Sequence, residues 1–450
     1  MSQAPYTLYK VYLTPLTSST AYGTEVEITD YVKFNGLPAI KRSIDATDYE
    51  IGVYKYDDIS LTCLNIDGYF NDEYDGRSVF KYSRDKAKIR ISFTNRTADT
   101  IVFRGIINEE ATRLDPANDE IDFRILSRDS VIRNTQVSAG TITNGMLVSA
   151  AISAILNVPA ITTTLNYSLA NINVSNDLAI DDGSFFDNKK TSEVLNTLLL
   201  ISNSVMVLDS SDNMIVKART EDSTTSILNL YGPFDIKGRQ NIISLDSYNS
   251  GRHRMFNSIK VNDSVSKNAT YISTFGFRQR EMTLDFITTG TIELDIGAAL
   301  LSEFKYPKIE CEITVPTYIT RDSDLLDRVA LNYPLRIKPI EGTFLPVIGV
   351  TVIGDDTMPL PYTFGSISIS RNVGFKIIGI TDNPTNFTTS LKLRQIGTDN
   401  DDGYFNVGEG CILGYAVIGD GTICAGGEDC DSFEVATIGA AKIGCTLLSA

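Results

Sequence analysis

The residues best equipped for chemistry in this sequence are four thiols near its end. Cys411, Cys424, Cys430 and Cys445 follow the spacing C-x12-C-x5-C-x14-C. Four thiolates could hold zinc or an iron–sulfur cluster. Structural zinc sites draw two ligands from one tight Cys-x-x-Cys turn, and no such pair occurs here. Clusters accept wider spacings because thiolates from separate loops converge on a larger body. Three readings therefore stand side by side: a metal or cluster site on these cysteines, buried free thiols, and a disulfide or intermolecular link. A repeat runs through the same stretch, LGYAVIG (413–419) and IGAAKIG (438–444). The cysteines fall out of register with it, since Cys411 corresponds to Ala436 and Cys445 to Asp420. Apolar residues alternating with Gly and Ala suit close-stacked extended segments.

Other candidate chemistry is thinner. The single histidine, His253, lies in GRHRMF between two arginines that oppose its protonation, which reads as an exposed loop residue. Acidic clusters at DSSDN (209–213), NIDGYFNDEYDG (65–76) and TDNDDG (398–403) invite a calcium reading. An EF-hand loop needs oxygen ligands at positions 1, 3, 5 and 12. Asp399 and Asp401 have that spacing, but Gly403 occupies the third ligand position, so solvated turns are the expectation. GDGTICAGG lacks the Lys-Ser/Thr of a phosphate-binding loop. Glu109 and Glu110 adjoin, yet nothing in the sequence sets two carboxylates across a cleft. No catalytic residues are assigned, and the chain is not expected to be an enzyme.

The elements that must position any site are mostly strands. AKIRISF alternates, with Ala87, Ile89, Ile91 and Phe93 on one face, and NRTADT turns it back into IVFRGII. EIDFRIL sets Ile121, Phe123 and Ile125 inward, and DISLTCLNIDG does the same for Ile59, Leu61 and Cys63. Helical stripes span Thr143–Leu156 and Ser192–Asn203, the second leading into the hairpin VMVL-DSSDN-MIVKA. NIISLDS, FNSIKV, a short helix from Gly297 to Phe304, KIECEITV (with Cys311 inward), LPVIGVTVIG, FKIIGIT and SLKLRQIG follow. The expected organisation is a β domain over 1–138, an α+β module of two helices and a hairpin over 139–232, a second β domain over 233–397, and a Gly/Cys-rich extension over 398–450.

Composition narrows the partners. The chain has 450 residues, 42% hydrophobic and 21% charged, with net charge -16. Length favours several domains. Phosphate binding depends on Lys and Arg displacing counterions, so tight DNA binding is disfavoured, whereas a surface DNA slides past suits this charge. The N-terminus shows no signal pattern, and no run of apolar residues is long enough to span a membrane. Synthesis in a cytoplasm with reduced thiols is the expectation.

Several stretches together resemble the tail hub (baseplate hub) proteins of tailed bacteriophages. EITDYVKFNG, LNIDGYFNDE followed by SVF, FRGII and DFRILSRDSVIRN are similar to the family's opening barrel. VLNTLLLISNSVMVLDSSDNMIVKA resembles its insertion, and FNSIKV, LLDRVALNYP and FKIIGITDNPTNFTTSLKLRQIG its second tube-like domain. The likeness runs in order over residues 5 to 397. It implies two tail-tube-like antiparallel β-barrel domains with a small α+β insertion. It implies a homotrimer that adapts the sixfold tail tube to the threefold tip and lines the DNA channel. Implied partners are the tube or distal tail protein, and tip, spike or tape-measure proteins, with DNA passing without specific binding. Implied location is the virion tail, assembled in the host bacterial cytoplasm. Some tail-tip proteins carry an iron–sulfur cluster on a C-terminal cysteine-bearing domain, which keeps Cys411, Cys424, Cys430 and Cys445 in view. A receptor- or carbohydrate-binding tail-tip protein is the alternative; its twenty-one tyrosines permit it.

Overall fold

A computed structural model describes residues 9–44, 55–72, 74–94, 99–162, 164–166, 168–208, 213–219, 228–232, 240–249, 254–305, 308–320, 323–332, 335–336, 364–365, 375–396, 422–423, 435–438 and 441–444. The chain divides into two compact units. The first comprises Met1–Thr225, Leu245–Arg328 and Lys376–Arg394; the second comprises Ser226–Ser244, Val329–Phe375 and Gln395–Ala450.

The first unit opens with strands β1 (Tyr9–Thr14), β2 (Val26–Glu27), β3 (Ile40–Ser43), β4 (Lys55–Tyr56), β5 (Ile59–Leu64), β6 (Lys88–Thr94), β7 (Asp99–Asp115) and β8 (Glu120–Ser127). Six of them form a sheet in the order β2-β1-β6-β7-β8-β5. The period of two dictates its inner face, because alternate side chains point to opposite sides. Val11, Leu13, Ile89, Ile91, Phe93, Ile121, Phe123 and Ile125 are all buried in one core. Phe70 and Phe80 close that core, each edge-on to Phe123, with centroids 5.4 and 6.2 Å away. Cys63 lies inward as its strand pattern requires. Gly105 on β7 lets the strands approach: a Cβ there would lie 2.5 Å from the Leu126 carbonyl oxygen.

A second sheet of the same unit contains β12 (Ser244–Asn249), β16 (Glu310–Pro316), β20 (Phe375–Asn383) and β21 (Thr388–Gln395) in the order β20-β21-β16-β12. Strand β3 leaves its sequence neighbours to pair antiparallel with β20, Arg42 opposite Ile380 and Ile40 opposite Asp382, and β4 pairs with β3. A segment from the N-terminal part of the chain thus completes the second sheet. Both sheets are β-rich, curled half-barrels, and helices are few.

Between them in sequence come α1 (Ser130–Arg133), α2 (Val148–Leu156), α3 (Pro159–Thr162) and α4 (Thr191–Ile201), then the hairpin β9 (Ser204–Leu208) and β10 (Met214–Ala218). The stripe expected to begin at Thr143 becomes helical only at Val148. Leu147 instead bridges to Ala179 and stays 46% exposed. Pro159 starts α3, where its missing N–H costs nothing. Strands β13 (Ser258–Val261), β14 (Ser264–Lys267) and β15 (Gln279–Met282), with α5 (Ala269–Phe275), build a small sheet in the order β14-β13-β15. Helix α6 (Gly290–Phe304) covers one face of it, a full turn or more longer than the expected Gly297–Phe304. Gly297 sits over Ser266, where a Cβ would meet Oγ at 2.6 Å. Helix α7 (Thr317–Thr320) extends β16.

In the second unit, β11 (Leu228–Tyr231) pairs parallel with β17 (Arg328–Asn332), and β18 (Leu335–Arg336) antiparallel with β19 (Phe364–Gly365). Short strands β22 (Thr422–Ile423), β23 (Val435–Ile438) and β24 (Ala441–Gly444) form a three-stranded set. β24 takes up the end of the second repeat copy. LPVIGVTVIG (345–354) lies outside the described residues.

Candidate functional site

Cys411, Cys424, Cys430 and Cys445 lie outside the described residues, as do His253 and TDNDDG. The two cysteines that are described, Cys63 and Cys311, are free and buried. Burial pushes both thiols up, Cys311 to about 12, so neither is a thiolate at neutral pH. Among the described residues no group of three or more His, Cys, Asp or Glu could hold a metal ion. The acidic loop after β5 is a turn locked by its own side chains. The Phe70 N–H donates to Asn65 Oδ1 at 2.7 Å, Asn65 Nδ2 to Asn71 Oδ1 at 2.8 Å, and Asn71 Nδ2 to Asp75 Oδ2 at 2.7 Å. Hydrogen bonds from the Arg77 side chain and N–H hold Asp75 below the usual carboxylate range. Glu109, of the adjacent pair, takes Arg84 at 3.2 Å.

The structure brings together two carboxylates that sequence reasoning missed. Asp58, just before β5, accepts from Arg133 Nη2 at 2.9 Å and from the Ser127 N–H at 3.0 Å. Ser127 Oγ donates to Asp129, which also lies 3.6 Å from Arg133 Nε. Burial works against Asp58, but Arg133 and the Ser127 N–H hold it low; burial pushes Asp129 up to about 6 despite Ser127 and Arg133. One guanidinium and one serine, through its N–H and its hydroxyl, thus serve two carboxylates of opposite tendency. The cluster clasps α1 to the strands at the edge of the first sheet. Its members are up to 75 positions apart, so spacing could not reveal it.

Charges also fasten the second sheet. Glu310 lies between Arg254, at 2.9 Å, and Arg394, at 2.8 Å, all nearly buried. Glu303 at the end of α6 takes Lys308 at 2.8 Å and Lys376 at 3.6 Å. Burial opposes ionisation of Glu303, yet these lysines hold it at about 2, while burial lowers Lys376 to about 8. Arg42 on β3 reaches Asp324 and the Ser323 carbonyl, both at 3.3 Å. Buried ion pairs are weak stabilisers but costly to break, and the Glu310–Arg394 pair sits directly across β16 and β21.

A groove of about 770 Å³ opens beside the first sheet, with Ile106, Leu126 and Val131 among its lining and Tyr22, Lys88 and Arg128 in its polar wall. Lys88 Nζ sits 3.8 Å from the Tyr22 ring centroid, and Arg128 Nη1 donates to the Thr164 carbonyl at 3.0 Å. Two of the cations in its lining, Lys88 and Arg128, are thus engaged within the fold.

A tail protein from Neisseria meningitidis superposes over 86% of this chain and 96% of its own, with TM-score 0.51 and 13% identity. The chain has the fold of a tail protein. A prophage tail protein from Listeria monocytogenes gives 0.49 over 87% and 95% at 10% identity. The 43 kDa tail protein of prophage MuSo2 from Shewanella oneidensis gives 0.48 over 86% and 98% at 11% identity. No protein-family model matches the sequence, and no curated protein matches it. No helix among the described residues is long and apolar enough to cross a membrane.

Proposed function

We propose that this chain is a structural component of a phage or phage-derived tail, a homotrimeric hub. In that role two half-barrel sheets per subunit adapt the sixfold tail tube to the threefold tip and line the channel through which DNA passes. The observation that carries the reading is the likeness in fold to a tail protein over 86% of this chain and 96% of that one. The charge of -16 agrees with a lumen that does not retain phosphates. The buried Glu310–Arg394 pair across β16 and β21 suits a body whose work is geometric. The reading assigns no catalytic residue and no cofactor, and expects tube or distal tail proteins and tip or tape-measure proteins as neighbours.

The test is the mass and shape of the purified full chain. Sedimentation should give three times the 49.4 kDa chain mass, and electron microscopy a ring with an axial lumen. A species that stays monomeric at every concentration, with a sugar-binding groove, overturns the hub in favour of a receptor-binding tip protein.

A further inference from the structure

Two exposed patches in the first unit are complementary in charge and alike in apolar content. One lies at the β7–β8 turn. Lys33 reaches Glu120 at 2.6 Å, the Asn65 N–H donates to the Asp119 carbonyl at 2.6 Å, and Glu120 stands opposite both Leu64 and Asp115. Those links bring the segments that carry Phe34, Ile66 and Leu114 to this turn, where they are 88%, 50% and 48% exposed. Asp67, Asp115 and Asp119 stand beside them, all exposed, together with the exposed cations Lys33 and Arg113. The patch is apolar at its centre, and carboxylates outnumber cations at its rim.

The other patch is the α5 end of the small sheet. Helix α5 has no buried residue. It is nevertheless held in place: Asn257 Nδ2 donates to the Gly276 carbonyl at 2.7 Å, and the Arg278 N–H donates to Asn257 Oδ1 at 2.8 Å. Tyr271 stacks on Phe275, and Phe277 follows at 61% exposure. Lys267 and Gln279 both pair with Ser258, which brings Lys267, Arg278 and Arg280 to the same end. Lys267 and Arg278 are exposed. This patch is aromatic at its centre and cationic at its rim, on a chain of net charge -16.

We propose that the two patches are the two halves of one contact between copies of this chain: the acidic β7–β8 end of one copy seats against the aromatic, cationic α5 end of the next. Two copies carrying -16 each repel at a distance, so copy-to-copy contact requires local charge complementarity, which these patches supply. Aromatic and arginine side chains are enriched at the centres of protein interfaces. Because the halves differ, the contact is head-to-tail, and such contacts build rings when the rotation closes. The inference deepens the hub reading and rests on it.

The test is sedimentation of the full chain at graded salt. Lys267→Glu with Arg278→Glu should weaken association at least about tenfold, as should Asp67→Lys with Asp119→Lys. Combining all four reversals should restore it, and added salt should weaken the wild type. Phe277→Ser, at an exposed position where folding is insensitive, should weaken association without altering the melting profile. Reversal variants that assemble like the wild type overturn this contact and leave the hub standing. A wild type that is monomeric throughout overturns both.

Discussion

Arg133 Nη2 lies 2.9 Å from Asp58 Oδ1, and through that pair helix α1 is tied to the strand edge of the first sheet. The neighbouring Asp129 shares the same guanidinium at a longer 3.6 Å and is 3% exposed. Its charge is therefore the poorly compensated one, and the pH behaviour of this joint follows from it.

Asp129 has a folded pKa of about 6, above its ordinary 3.8. The folded state therefore binds a proton that the unfolded state lacks between those values. Stability from this group rises as pH falls through about 6 and is fully present below the unfolded value, with an upper limit of about 3 kcal/mol. Asp58, held low, acts oppositely and loses its contribution only under stronger acid. Thermal melts of the wild type should gain stability from pH 7 to pH 5. Asp129→Asn should remove that slope, and a slope unchanged in the variant would contradict the assignment.

Glu303 and Lys376 should not be equivalent in mutation, although they face each other. Lys308 approaches Glu303 to 2.8 Å, so Lys376→Met leaves the carboxylate paired and relieves a buried ammonium. Glu303→Gln removes the anion that both lysines face. We expect Glu303→Gln to cost about 3–5 kcal/mol in urea unfolding and Lys376→Met under about 1 kcal/mol. Equal losses would mean that Lys376, not Lys308, is the partner that counts.

The inner faces of the strands were legible because burial imposes a period of two that AKIRISF, EIDFRIL and KIECEITV carry openly. Cys63 and Cys311 followed from the same pattern. The placement of β3 was not legible: IKRS is four residues long, and its partner Gly379–Asp382 lies more than three hundred positions away. A strand so short is defined by the edge it completes. The helix over 290–304 was half missed because its exposed face carries Leu294 at 46% and breaks the stripe. The Asp58, Asp129 and Arg133 cluster escaped for another reason, since spacing cannot show charges that only folding brings together. The two patches at the β7–β8 turn and at α5 share that limit.

Gly105 should resist substitution more than Gly76. A Cβ at Gly105 would meet Leu126 O at 2.5 Å and Ile125 Cγ2 at 2.6 Å, whereas one at Gly76 meets nothing within 4 Å. The obstacle at Gly105 is backbone of the adjacent strand, which cannot swing aside as a side chain can. Gly105→Ala should cost about 1–3 kcal/mol by overpacking, and Gly76→Ala should fall within about 0.5 kcal/mol of wild type. Denaturant midpoints for both variants check the difference.

Thiol titration bears on the six cysteines through the two that are described. Cys63 and Cys311 are 0% and 3% exposed, with thiols pushed up by burial, so neither should react with a disulfide reagent until the chain unfolds. Native titration of anaerobically purified protein should therefore leave these two unreacted, so that every thiol counted comes from Cys411, Cys424, Cys430 or Cys445, and denatured titration should add the buried pair. Four rapid thiols with no bound iron or zinc would identify the terminal cysteines as free. Fewer rapid thiols with stoichiometric iron and visible absorption would place a cluster on them, because ligated thiolates are shielded and coloured. Fewer rapid thiols in colourless, metal-free protein would leave buried free thiols and disulfides, which denaturation separates: without reductant it exposes all six thiols in the first case, whereas only reduction releases them in the second. In each case the buried pair sets the baseline against which the terminal four are read.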